Sequence, residues 1–172
     1  YFQSTPLQLC LMTAQIANGG FEIKPRIVVD GNNDNLRNYL KHKNENPNEP
    51  LPTDLLVSNF DLKPLFKNQE NIKIIKDAMY SSSNEPGGTS YRSRLDDKRF
   101  MFAGKTGSSQ IKRFTEAQRE AEVKQESLKY KDRDHALFVA FAPYNDPRYS
   151  ISVVVEHGGS GSKSAAPIAK KV

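Results

Sequence analysis

The sequence has a single cysteine, Cys10, three histidines, and no apolar run near the ~20 residues that cross a membrane. A lone cysteine forms no internal disulfide, so cysteine usage leaves the redox compartment open. Cys10 lies in an apolar helical run and is expected to be a buried free thiol. No signal peptide pattern is visible, so any membrane anchor of a parent protein is expected outside this chain. No block of one charge sign is present either. The formal net charge is +5, but basic residues alternate with acids, as from Glu116 to Lys131. That is the pattern of a solvated surface, not of a nucleic-acid patch. His42, His135 and His157 show no metal-ligand spacing, so neither a metal nor another cofactor is expected. There are no internal repeats, which excludes solenoids and propellers.

What is present suits one domain. A chain of 172 residues is long enough for a core, since about 150 residues already bury roughly 70% of their unfolded surface. Polarity is concentrated in two stretches, and residues 31–53 and 112–134 are expected to be exposed insertions. Thr5 and Pro6 mark a helix start, and Gly19 or Gly20 its end. Leu7, Leu11 and Ala14 form one apolar stripe and Leu9, Met12 and Ile16 another, which predicts a deeply buried helix. Ile27 to Val29 reads as a short β segment. Ile72, Ile75 and Met79 share a face of a second helix, which should end within Ser81 to Asn84, before Glu85-Pro86-Gly87-Gly88.

Strands are predicted at Phe100 to Gln110, His135 to Ala142 and Tyr149 to Glu156, and a charged helix-prone segment, Thr115 to Tyr130, lies between the first two. The near-continuous apolar character of the last two strands predicts helices on both sheet faces. Phe100, Phe102, Phe138 and Phe141 are expected in the core, and Ser164 is expected to cap a final helix through Lys171. Short connections favour antiparallel pairing. The fold class is therefore α+β, an antiparallel sheet flanked by helices.

Gly104-Lys105-Thr106-Gly107 invites two readings. A phosphate-binding loop, G-x-x-x-x-G-K-[ST], would need glycine where Arg99 stands, and the apolar run Phe100 to Ala103 cannot wrap amides around a phosphate. The K-T-G element of β-lactam-reactive serine acyl-transferases fits better. An apolar strand arrives and a lysine follows. Gly107 then removes a side chain so that a ligand can lie along the strand edge. Alternation places Lys105, Gly107 and Ser109 on one face, with Thr106 and Ser108 on the other.

The segments TPLQL, IANGG, NEPGGTSYR, FAGKTGSSQ, RDHALFVAFAPYNDPRY, VVVEHGG and AAPIAKK resemble, in the same order, the penicillin-binding protein 2 family of peptidoglycan D,D-transpeptidases. The resemblance covers nearly the whole chain and is most specific from Phe102 onward. It implies the C-terminal portion of a β-lactamase/transpeptidase-like fold and an enzyme that cross-links stem peptides through a serine acyl-enzyme. It also implies stem-peptide substrates, β-lactam binding, cell-elongation proteins as partners, and a place on the periplasmic face of a bacterial inner membrane. By motif position, Lys105 would supply positive charge and assist proton transfer. Thr106 and Ser108 hydroxyls would hold a substrate carboxylate, Gly107 would give access, and the Ser108 N–H would be an oxyanion donor. The family usually has threonine where Ser108 stands.

That family also needs an S-x-x-K nucleophile and an S-x-N motif. The matches at Ser109 to Lys112, Ser160 to Lys163 and Ser82-Ser83-Asn84 lie in the wrong places for those roles, so the nucleophile is expected to be absent and this chain alone inactive. An open edge on the Tyr149 to Glu156 strand predicts self-association. Alternatives are a penicillin-recognising sensor or scaffold, a serine β-lactamase relative and, more remotely, a nucleotide enzyme. Glu156 is expected to cap a strand end.

Overall fold

The computed structural model describes residues 3–25, 41, 45, 64–112, 116 and 124–172. The expected β segment at Ile27 to Val29, His42, most of the polar stretch 31–53, and residues 113–115 and 117–123 of the polar stretch 112–134 lie outside the described residues. The chain divides into two units, Tyr1–Phe21 with Pro64–Val172, and Glu22–Lys63. The elements below all belong to the first.

Helix α1 spans Pro6–Ala17 and starts as its sequence dictates. The Thr5 hydroxyl accepts from the Gln8 amide at 3.2 Å, and Gln8 Oε1 accepts from the Thr5 amide at 2.8 Å. It stops at Asn18, where Gly19 and Gly20 take positive φ. Deep burial on all sides does not occur: Leu7 is 61% exposed and Met12 44%. Apolar periodicity marks candidate faces, but the packing partner selects one. The face that meets β2 and β3 carries Thr13, Ile16 and Ala17, with the Thr13 hydroxyl satisfied by the Leu9 carbonyl at 2.8 Å. Cys10 is half-buried, not buried, and its Sγ lies 3.2 Å from Ser150 Oγ.

Helix α2 spans Gln69–Asn84, capped by Asn68, whose side chain accepts from the Glu70 amide at 2.9 Å. It ends within the expected window. Ile72 and Met79 are buried, and Ser83 continues their face, whereas Ile75 sits at its margin, 37% exposed.

Three strands follow: β1 (Ala103–Ser109), β2 (His135–Ala142) and β3 (Tyr149–Val155). They form an antiparallel sheet in the order β1-β2-β3, with Thr106 opposite Phe138 and Phe138 opposite Val153. One face buries Phe102, Ala136, Phe138 and Ala140 against Ala165 and Ala166. The other buries Ala103 and Phe141 against Ile16, Ala17 and Met79. Helical segments thus cover both faces, as the apolar strands required. Phe100 departs from the expected core set. It lies before β1 in a turn closed by its amide on the Asp97 carbonyl, 55% exposed, with the Arg99 guanidinium 5.3 Å from its ring centroid.

The final helix, α3 (Ala166–Lys171), is not capped by Ser164. A π-type turn, Gly161–Ala165, precedes it, and the Ser164 hydroxyl donates instead to the Gly158 carbonyl at 2.7 Å. The turn is pressed against sheet backbone: a Cβ on Gly161 would lie 2.4 Å from the Leu137 oxygen. A capping serine needs extended backbone outside the helix, and this one lies within the turn.

The hairpin also unites two histidines that look unrelated along the chain. The His157 amide donates to His135 Nδ1 at 2.9 Å, and the two ring centroids are 4.9 Å apart. His135 Nδ1 is therefore occupied, and among the described residues no group of three His, Cys, Asp or Glu is arranged to hold a metal. Exposed Glu156 stands at the same strand end, where its carbonyl accepts from the Tyr130 hydroxyl at 3.3 Å.

Tyr144, in the β2–β3 turn, ties that turn to α2. Its hydroxyl donates to Asp77 at 2.5 Å and its ring lies 4.6 Å from that of Tyr80. The hydrogen bond to Asp77, then burial, pushes the Tyr144 phenol up to about 12. A raised acid is stabilising while protonated. Its contribution is complete below the unfolded phenol value of about 10 and lost as pH rises from there through about 12. An ultraviolet phenol titration is expected to show a late-ionising component that Tyr144→Phe removes. A variant with an unchanged titration would contradict this assignment.

Candidate active site

β1 is an edge strand, and its own hydrogen bonds reveal which of its groups face outward. Asn84 Nδ2 donates to the Phe102 carbonyl at 2.8 Å, and Ser83 Oγ to the Gly104 carbonyl at 3.4 Å. Lys105 Nζ donates to the Thr106 carbonyl at 2.9 Å. Backbone polarity alternates along a strand, so residues in this phase direct both N–H and C=O away from β2. Ser108 is in the same phase. Its amide therefore points off the sheet edge. The end of α2 covers that edge as far as Gly104, while the length from Lys105 to Ser109 is half-buried or exposed. The formal S-x-N, Ser82-Ser83-Asn84, is thus a brace for β1: Ser83 is buried, bonded also to Ser90 at 3.1 Å.

The register places Lys105, Gly107 and Ser109 on the face shared with Ala103 and Phe141, and Thr106 and Ser108 on that of Phe138 and Ala136. Alternation alone would separate the lysine from the hydroxyls. The edge reunites them, because Lys105 is exposed and curls its ammonium back to the Thr106 carbonyl. Among the described residues no ion pair includes Lys105, so its charge is available to a ligand. The extended course of Ala103–Ser109 also removes the phosphate-loop reading, since Lys105 lies inside a strand.

Gly104 and Gly107 differ in why they are glycine. A Cβ on Gly104 would sit 2.4 Å from Phe138 Cζ and 2.9 Å from the Val139 oxygen. The fold itself demands glycine there. A Cβ on Gly107 would meet Leu137 Cβ at 3.4 Å, an ordinary contact, and its φ is not in the left-handed region. Gly161 packs on the Gly107 backbone, where its own Cβ would come 2.7 Å from the Gly107 oxygen, but among the described residues nothing on the side a Gly107 Cβ would take requires glycine, so that side is open to a ligand.

One participant, Thr89, escaped sequence reasoning. The Thr106 hydroxyl donates to Thr89 Oγ1 at 3.1 Å, and Thr89 Oγ1 lies 3.0 Å from Ser82 Oγ. The visible signal was the pair Gly87-Gly88. Gly87 has φ +90, and a Cβ on Gly88 would be 2.4 Å from the Ser82 oxygen. Only glycines let this loop fold back over the end of α2 and deliver Thr89.

The two other S-x-x-K matches carry no nucleophile geometry. Lys112 is paired with Asp132 at 3.2 Å and Lys163 with Glu126 at 2.6 Å, so neither amine is free to act as a base. A groove of about 350 Å³ whose lining includes Ile72, Lys76, Asp77 and Tyr144 contains none of the K-T-G residues. β1 therefore offers an exposed strand edge with one ammonium in no ion pair among the described residues, an outward amide at Ser108, and the hydroxyls of Thr106 and Ser108 on one face. It does not present an activated serine.

Comparison with known proteins bears on the family and the fold. The family model described as the penicillin binding protein transpeptidase domain matches residues 2–172. A Salmonella typhimurium protein named peptidoglycan D,D-transpeptidase MrdA is 28% identical over 172 residues, covering 100% of this chain and 25% of the relative. Its Acinetobacter baumannii namesake is 30% identical, covering 97% of this chain and 22% of the relative. Among solved structures, Pseudomonas aeruginosa PBP2 in complex with WCK 5153 is 29% identical with a TM-score of 0.61, covering 99% of this chain and 29% of that one. Helicobacter pylori PBP2, in a complex with MreC, shares the fold with a TM-score of 0.64 at 24% identity, covering 98% and 24%. The chain thus spans about a quarter of the length of such relatives.

Proposed function

The chain belongs to the family of penicillin binding protein transpeptidase domains, and on that footing we propose that it forms the Lys-Thr-Gly wall of a peptidoglycan D,D-transpeptidase. The single observation that carries the reading is the open edge of β1, where Gly107 has no packing reason to lack a side chain. A stem peptide ending in D-Ala–D-Ala lies along that edge. A serine from another part of the parent attacks the carbonyl carbon, and the Ser108 amide donates to the oxyanion that forms. The C–N bond then breaks, the departing D-alanine amine takes up a proton, and the amine of a second stem peptide later displaces the serine. Lys105 supports proton transfer with its charge. Thr106 and Ser108 hydroxyls hold the terminal carboxylate, and β-lactams occupy the same place.

The relatives' names support the activity, and the complex of a structural neighbour with MreC supports a partner in the elongation machinery. Action on peptidoglycan places the domain on the periplasmic side of the inner membrane. Among the described residues no helix is long and apolar enough to cross one.

The test is covalent labelling with a fluorescent penicillin. The full-length protein is expected to label through a serine outside this chain, while the isolated chain stays unlabelled. On β3, Tyr149 is 74% and Val154 37% exposed, and we propose that strands from the remainder of the parent cover this edge. The isolated chain is therefore expected to self-associate in light scattering. A labelled isolated chain, or an unlabelled full-length protein, would overturn the reading.

A further inference from the structure

We infer that Thr89 is a positioning residue that sets the donor direction of the Thr106 hydroxyl, so that Thr106 gives its proton to a ligand carboxylate laid along β1. The inference rests on the transpeptidase reading and adds the group behind the carboxylate-binding hydroxyl.

Each hydroxyl carries one proton and can also accept. Without a ligand, Thr106 donates to Thr89 Oγ1 at 3.1 Å, and the Thr89 proton is free for Ser82 Oγ at 3.0 Å. Thr106 then offers the groove only acceptor lone pairs, which repel a carboxylate. A carboxylate accepts and cannot donate, so holding it requires the Thr106 proton to turn outward. That turn leaves Thr106 Oγ1 facing Thr89 as an acceptor. The Thr89 hydroxyl rotates to donate to it, and Ser82 donates to Thr89 in turn. Three hydroxyls rotate, each keeps its proton, and no contact in the chain is lost. With valine at 89, no hydroxyl would donate to Thr106 Oγ1 in the liganded arrangement, so the outward proton would lose both its fixed direction and the polarisation that an accepted hydrogen bond gives a donor.

The relay works only if Thr89 stays in place, although it is exposed. The loop behind it is clamped by residues that never meet the groove. The Ser90 amide and hydroxyl both donate to the Ser82 carbonyl, at 3.0 Å and 3.1 Å, and Ser90 is buried. Gly88 lies so close to the Ser82 oxygen that no side chain fits.

The experiment compares second-order acylation of the full-length protein by benzylpenicillin and by its methyl ester, which lacks the carboxylate charge. Thr89→Val is expected to slow benzylpenicillin about tenfold while changing the ester by less than about twofold, and Thr89→Ser to restore the wild-type rate. Thr89→Ala gives the same readout should the valine branch disturb the loop. Equal losses on acid and ester would reveal a merely structural role, and no loss on either would exclude Thr89; both outcomes overturn the inference. A wild type that is never acylated, or Lys105→Ala acylating at the wild-type rate, would instead defeat the transpeptidase reading beneath it.

Discussion

Gly104→Val is expected to unfold the domain, whereas Gly107→Val, three residues along the same strand, is expected to leave it folded and disable it. At Gly104 the first carbon of any side chain would meet Phe138 Cζ at 2.4 Å and a backbone oxygen at 2.9 Å. Phe138 is fully buried between β1, β3 and the final helix, so it has nowhere to move. Overpacking typically costs about 1–3 kcal/mol and occasionally more, and the upper end is expected here because a backbone oxygen as well as Phe138 would have to shift. At Gly107 the new Cβ makes an ordinary contact with Leu137, and valine suits a strand, so stability should stay within about 1 kcal/mol of wild type. Its branch would nevertheless stand where the extended substrate lies. Acylation of the full-length protein by penicillin should fall at least ~100-fold, since displacing the reacting carbonyl from its amide donor forfeits most of that stabilisation. Thermal melts and acylation kinetics on the two variants separate the effects. A Gly107→Val protein that acylates normally would show that no ligand uses this edge.

Lys105→Ala should reduce acylation by a comparable factor, at least ~100-fold, by removing the positive charge at the edge in a site that depends on electrostatic placement. Stability should hardly change, because Lys105 is exposed and its hydrogen bond goes to the Thr106 carbonyl, which water can replace. Lys105→Arg should recover only part of the rate. The guanidinium keeps the charge, but its planar fork cannot sit at the Thr106 carbonyl as a compact ammonium does, and it does not give up a proton. An alanine variant that reacts within threefold of wild type would remove the ammonium from the mechanism.

Much of the scaffold was legible because its signals are local. The Thr5-Pro6 start of α1, the end of α2 before Glu85, and the strand His135–Ala142 follow from capping chemistry, turn residues and apolar runs. The failures share a cause. Which face of α1 would be buried, where Phe100 would point, and whether Ser164 would cap a helix all depend on what another segment brings against them. Local periodicity contains no information about that segment.

The same division runs through the site. Lys105, Thr106, Gly107 and Ser108 could be singled out by the K-T-G motif and the family resemblance around it, and the roles proposed for them follow from motif position. Thr89 could not, since its partner lies 17 positions away along the chain.

By itself, the amino-acid order determined the strands, the start of α1, the end of α2 and the lysine-bearing element, because neighbouring residues dictate backbone geometry through sterics and hydrogen bonding. Only tertiary structure decided which glycine serves packing and which leaves room for a ligand, which amides of β1 look outward, and that Thr89 and the two strand-end histidines find their partners. Those are contacts between residues remote in the chain, and they exist only once the sheet has paired and the helices have closed over it.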